Sequence, residues 1–139
     1  MQVHASCAAR DGAGVLLLGP PGAGKSEMVL RLIDHGFVLV ADDRVEIIDG
    51  FARPAHGLAG LLEVRGLGIL RLPHLPLARL RLAVVLGAAP ERLPTPARHP
   101  DPDLPLISLD PARPAAARIV ALALECALGR LSQVAGAFA

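Results

Sequence analysis

The stretch "VLLLGPPGAGKSEMVLRLI", Val15 to Ile33, decides the fold. Its first residues, Val15 to Leu18, are a short apolar run and read as a buried strand. "GPPGAGKS" then matches GxxxxGK[ST] in full. In such a loop the glycines let backbone N–H groups face phosphate oxygens, the lysine reaches the outer phosphates, and the hydroxyl can ligate magnesium. From Lys25 to His35, Met28, Val29, Leu32 and Ile33 share one helical face, and Gly36 is a stop signal. Strand, loop and helix therefore follow one another in the order the motif requires. Gly19, Pro20, Pro21, Gly22, Ala23, Gly24, Lys25 and Ser26 are the candidate nucleotide-binding residues.

Composition sharpens the reading of Lys25. The chain has 13 arginines and this one lysine, so a compact ammonium occurs only where a point charge would sit among phosphate oxygens. The net charge of +1 and the absence of Trp and Tyr give no basis for nucleic-acid binding. No apolar run reaches the roughly 18 residues that cross a bilayer, and the N-terminus lacks signal-peptide order, so the expected location is cytoplasmic with no membrane partner. Cys7 and Cys126 form no CxxC pair and read as buried free thiols. At 139 residues the expected organisation is one domain, 1–139.

Working outward, "RDGAG" (Arg10 to Gly14) supplies Asp-Gly turn chemistry for a hairpin leading into the first buried strand. "FVLVA", Phe37 to Ala41, is a second strand ending in Asp42 and Asp43, and "RVEIID" alternates up to a further Asp-Gly turn. A strand after such a loop and helix is expected beside the loop-bearing strand, which would turn these acids toward the phosphates. The competing interpretation is a solvated pair capping a turn. In "GLLEVRGLGI", Gly60 to Ile69, Glu63 and Arg65 fall on one side of an extended run and two glycines predict a bend or a close backbone approach; a surface ion pair is the alternative. Leu80 to Leu86 is a further strand. Gly87 to Pro105, with six prolines, predicts a long mobile loop; the short run "PLISLD" follows it, and Ala115 to Leu128 predicts the main C-terminal helix.

The combination of "GKSE", "VLVADDRVEI" and "LLEVRGLGI" in this order resembles the catalytic domain of bacterial HPr kinase/phosphorylase, from about His4 to Glu125. The resemblance implies an α/β phosphate-loop core of the phosphoenolpyruvate-carboxykinase type. It implies an ATP- and magnesium-dependent kinase that phosphorylates a serine of the phosphocarrier HPr, with possible reversal by phosphorolysis, and assembly into hexamers. By position, it makes Asp42 the proton acceptor, with Ser26, Glu63 and Asp43 around magnesium. Lys25, Arg65, an upstream histidine at His4 and, weakly, Arg92 in "PERL" complete the catalytic set.

There are departures from the family pattern. Pro21 replaces a serine of the usual loop, and "DPARPAA" stands where a Pro-Gly-Arg-Asn-like segment is usual, which predicts weak phosphorolysis because Pro114 is stiff and has no amide hydrogen. Longer members begin with another domain, so control through such a domain is not expected. Two alternative functions fit the loop alone: a small-molecule kinase or ATPase, and a regulatory module that senses ATP without transferring phosphate.

Overall fold

The computed structural model describes residues 1–139. Its elements in chain order are β1 (Gln2–Val3), β2 (Ser6–Arg10), β3 (Ala13–Leu18), α1 (Lys25–Ile33), β4 (Val38–Ala41), β5 (Val45–Ile48), β6 (Phe51–Pro54), β7 (Leu61–Val64), β8 (Gly68–Arg71), β9 (Ala78–Leu86), β10 (Ala97–Pro100), β11 (Asp103–Leu109) and α2 (Ala116–Ala127). Nine strands form one mixed sheet along the path β1-β5-β6-β9-β3-β2-β4, with β11 also pairing β9 and β10 on its outer edge. β7 and β8 form a separate two-stranded sheet.

Alternation along the central strands builds two apolar layers, because successive side chains of a strand point to opposite faces. Val15 and Leu17 join a cluster of 20 buried residues with Met28, Val29 and Leu32 of α1 and Val120 and Leu124 of α2. Leu16, between them, joins Cys7, Val40, Val45 and Ile47 in a second cluster of 13 on the other face. Both faces of β3 are therefore covered, which is why it reads as an uninterrupted apolar run. Helix α1 depends on this packing, since it has no side-chain cap at its start. Truncating its fully buried Leu32 to alanine is expected to cost about 2–5 kcal/mol.

The Asp11-Gly12 turn, with φ of 52° and 79°, folds β2 back against β3 in the register Ser6↔Leu17 to Arg10↔Ala13. This corrects the expectation that β4 lies beside β3. The tight hairpin fills that position with β2, and β4 pairs with the far edge of β2. Both pairings are antiparallel, so β4 runs parallel to β3 and its acids still emerge at the edge where the loop begins. The other edge of β3 is paired in parallel with β9, which is paired in parallel with β11.

Two further segments differ from expectation. "LLEVRGLGI" is not one bent strand: β7 and β8 are the arms of a hairpin, with Arg65, Gly66 and Leu67 as its turn and Gly66 at φ 85°. The proline-rich segment contains β10 and the start of β11, paired antiparallel in the register Ala97↔Leu106 to Pro100↔Asp103. Its prolines sit where a strand tolerates a missing donor: Pro100 ends β10, Pro102 is in the turn, and Pro105 precedes the first residue of β11 paired with β9. The main C-terminal helix is α2, followed by Gly129 at φ 74°.

Candidate active site

The loop grips the end of β3 closely. Gly19 has φ 150°, and a Cβ there would come within 2.9 Å of the Ala23 Cβ and 3.0 Å of the Leu86 carbonyl oxygen. No larger residue fits without displacing backbone of β9. Gly24, at φ 96°, is the N-cap of α1 and brings no capping side chain to the first amides of the helix. Unpaired N–H groups at a helix start carry partial positive charge and suit an anion. Lys25, only 8% exposed, donates from Nζ to the carbonyl oxygens of Gly19 at 2.8 Å and Pro20 at 3.1 Å. Its ammonium is thus held at the loop by the loop's own backbone.

Ser26, one residue further along α1, donates its hydroxyl to Asp42 Oδ1 at 2.7 Å. The same oxygen accepts a second hydroxyl, from Ser6 of β2, also at 2.7 Å. Asp43 follows in the left-handed region at φ 68°, and this turns consecutive acids in different directions. Asp42 faces the hydroxyls of β2 and α1. Asp43 faces the open cleft, where His4 Nδ1 lies 3.4 Å from its Oδ1, both side chains being 61% exposed.

A cavity of about 440 Å³ is lined by these groups with the exception of Asp42. Around it stand His4 and Ser6, the loop residues Pro21, Gly22, Gly24, Lys25 and Ser26, the acid Asp43, and Glu63 and Arg65 from the β7–β8 hairpin. Glu63 lies in β7 and Arg65 is the first turn residue, so the two reach the cleft from a hairpin and not from one extended strand. Arg92 is placed elsewhere, on a mainly apolar cavity of about 460 Å³ that includes Arg113, Ile119 and Phe138. Cys7 is buried and Cys126 half-buried; both are free.

Ser6 is the residue of this site that sequence reasoning missed. One serine in a strand of small residues has no spacing or motif to mark it. Its significance depends on β2 standing between β3 and β4, a long-range pairing that no local pattern announces.

The cleft is lined by the Ser26 hydroxyl and the Asp43 and Glu63 carboxylates, oxygens that suit a hard divalent cation, while Asp42 does not line it and meets it through the hydroxyls of Ser6 and Ser26. No group of three His, Cys, Asp or Glu side chains could cage a metal. A cation here would draw most of its ligands from water or from bound phosphates, as magnesium does. An uncapped helix start, an ammonium, two hydroxyls and the carboxylates of Asp43 and Glu63 around one cleft place the chain in the class of α/β proteins with a glycine loop.

Comparison with known proteins narrows that class. The family model described as HPr Serine kinase C-terminal domain matches residues 1–75, more than half of the chain, and the protein belongs to that family. An HPr kinase/phosphorylase of Clostridium novyi (strain NT) is 50% identical over 68 residues, covering 46% of this chain and 22% of the relative. One from Lacticaseibacillus casei (strain BL23) is 46% identical over 71 residues, with the same shares covered. One from Neisseria meningitidis (strain FAM18) is 46% identical over 69 residues, covering 45% and 21%. The matched region thus spans about a fifth of the length of these relatives. The solved structure of the HPr(Ser) kinase/phosphatase from Coxiella burnetii matches 93% of this chain and 92% of its own, with a TM-score of 0.74 and 22% identity, and so shares the fold.

Proposed function

We propose that residues 1–139 form one catalytic unit, with a loop core of the phosphoenolpyruvate-carboxykinase type. It transfers the γ-phosphate of ATP to a serine of HPr or an HPr-like phosphocarrier, in the cytoplasm and as a hexamer. The observation that carries this reading is the Asp42 carboxylate, bonded to Ser26 at the start of α1 and placed at the same sheet edge as Lys25. Nucleotide binding alone needs no such acid, and the relatives carry the name HPr kinase/phosphorylase.

In the forward reaction the Lys25 ammonium and the first amides of α1 hold the outer phosphates. The acceptor seryl hydroxyl gives its proton to the carboxylate of Asp42 as its oxygen bonds to the γ-phosphorus. The bond to the bridging oxygen breaks and ADP leaves. Ser26, Glu63 and Asp43 would hold magnesium, which neutralises charge on the phosphates when bound. Arg65 and His4 orient the reactants from opposite sides of the cleft, and Arg92 would have to reach it from a neighbouring copy or by movement of its segment. Positioning and charge complementarity supply most of the rate in such a transfer.

One observation favours a second assignment. Asp42 Oδ1 already accepts two hydroxyls, one from Ser26, while Asp43 is open to the cleft and paired with His4. On that basis Asp43 takes the proton, assisted by His4, and Asp42 fixes Ser26 as a metal ligand. The deciding experiment gives purified protein labelled ATP, magnesium and HPr, and measures phosphoserine for the wild type, Asp42→Asn and Asp43→Asn. Loss of turnover in Asp42→Asn at an unchanged magnesium requirement supports the first assignment. Loss in Asp43→Asn, with a raised magnesium requirement in Asp42→Asn, supports the second. ATP consumed without phosphoserine on HPr rejects the protein-kinase reading.

A further inference from the structure

Of the 38 buried residues only Ser6 and Lys25 are polar. Lys25 belongs to the loop; Ser6 belongs to β2, whose other inward positions are Cys7, Ala8 and Ala9. A hydroxyl taken out of water is costly unless it is bonded, and alanine would fill this place with no such cost. The Ser6 hydroxyl makes its hydrogen bonds to the acid pair alone. It donates to Asp42 Oδ1 at 2.7 Å and accepts the backbone N–H of Asp43 at 3.3 Å. The neighbouring backbone repeats the link, since the Ala5 N–H donates to the Asp43 carbonyl oxygen at 3.2 Å.

We propose that Ser6 is a positioning residue for the reaction, the anchor that fixes the orientation of the Asp42 carboxylate whether or not the loop is occupied. The proposal rests on the kinase reading above. Asp42 Oδ1 has two hydroxyl partners, and they differ in what they are attached to. Ser26 stands in the first turn of α1, next to Lys25, whose ammonium must leave the carbonyl oxygens of Gly19 and Pro20 to meet a phosphate. Ser6 rides on β2, which is hydrogen-bonded along both edges to β3 and β4 and does not shift when the loop does. Without Ser6 the carboxylate would be held only by the part of the site that rearranges on binding. With it, the plane of the carboxylate is set in advance and Oδ2 stays turned away from both hydroxyls. The left-handed step at Asp43 is pinned by the same oxygen, so one hydroxyl sets the divergence of the two acids.

The test compares the wild type with Ser6→Ala and Ser6→Thr in steady-state transfer from ATP to HPr, together with high-resolution crystal structures of the wild type and Ser6→Ala. The expected result for Ser6→Ala is a kcat lowered about 10- to 100-fold, with KM for ATP within about twofold of wild type, the size of effect a misplaced catalytic group produces. Ser6→Thr, which keeps the hydroxyl, should recover most of the rate. In the crystal the Asp42 carboxylate of Ser6→Ala should rotate away from Ser26. A kcat within about twofold of wild type, or an Asp42 carboxylate unmoved on Ser26, would overturn the proposal. A wild-type protein that transfers no phosphate to HPr would instead reject the kinase reading, and the position of Asp42 in the two crystals still decides the role of Ser6.

Discussion

Replacing Arg10 by alanine removes the clamp between the central sheet and α2. Its guanidinium donates to Glu125 Oε1 at 2.7 Å, to the His35 carbonyl oxygen at 3.1 Å and to the Ala121 carbonyl oxygen at 3.5 Å, and lies 5.0 Å from the centre of the Phe37 ring. The Arg10 and Glu125 side chains are 19% and 26% exposed, so solvent screens the pair less than a surface one. Surface ion pairs contribute about 0–1 kcal/mol, bonds from a charged donor about 1.5–3, and a cation over a ring about 0.5–1. One side chain makes all of them, so they do not simply add. Glu125 also keeps Arg130, at 3.7 Å, and is not orphaned by the change. We expect a loss of about 2–3 kcal/mol, below the sum of the parts. With about 2.1 cal/mol/K of unfolding entropy per residue, that is a fall in Tm of about 7–10 °C for this chain. Thermal unfolding followed by circular dichroism measures it, and Glu125→Gln with the double variant isolates the coupling. A Tm for Arg10→Ala within about 2 °C of wild type would refute the view that this clamp holds α2 to the sheet.

Lys25→Ala should weaken ATP binding by at least about tenfold and abolish transfer, because no second lysine can supply the charge; unchanged turnover by phosphoserine assay would remove Lys25 from the site. Burial pushes the Cys7 thiol from 9.0 up to about 12, so the folded state holds its proton where the unfolded chain has released it. Its contribution is intact below pH 9 and is lost as pH rises from 9 toward 12; urea titrations across that window should show falling stability, less steep in Cys7→Ala. Phosphorolysis should be slow relative to kinase activity. Arg31 clamps the carbonyl oxygens of Pro111 and Arg113, stiffening the segment before α2, and pyrophosphate released from serine-phosphorylated HPr as fast as the forward transfer runs would contradict this.

Strand, loop and helix around Lys25 were legible because each is a local pattern: an apolar run, a spaced set of glycines, a 3.6-residue period. The acid pair was legible as a feature of a strand end, but its geometry was not. What separates Asp42 from Asp43 is the positive φ of one residue, and what holds Asp42 is a serine on a strand inserted by a tight turn. The β7–β8 hairpin was read as a strand-like run with a bend or a close backbone approach, because Gly66 and Gly68 signal irregularity without saying whether the chain bends or reverses. The β10–β11 hairpin was hidden by prolines, whose harm to a strand depends on which edge is paired. For the acid pair the missing information was a pairing partner distant in sequence; for the two hairpins it was which residues reverse the chain.

The separate sheet of β7 and β8 gives the cleft two walls of unequal stiffness. His4, the loop and the acids hang from strands joined edge to edge by backbone ladders, and their separations cannot change without breaking rungs. Glu63 and Arg65 stand on a hairpin that shares no ladder with that sheet. It is seated by the buried Leu62 and tethered just beyond its base, where the Leu75 N–H donates to the Leu39 carbonyl oxygen. The width of the cleft is thus set by side-chain packing of Leu62, Val64 and Leu72, while its depth is set by main-chain pairing. Of the two walls, the hairpin can tilt about Leu62 without breaking a rung of the main sheet, so a change in what fills the cleft falls first on Glu63 and Arg65 and leaves the spacing of Lys25, Asp42 and Asp43 unchanged.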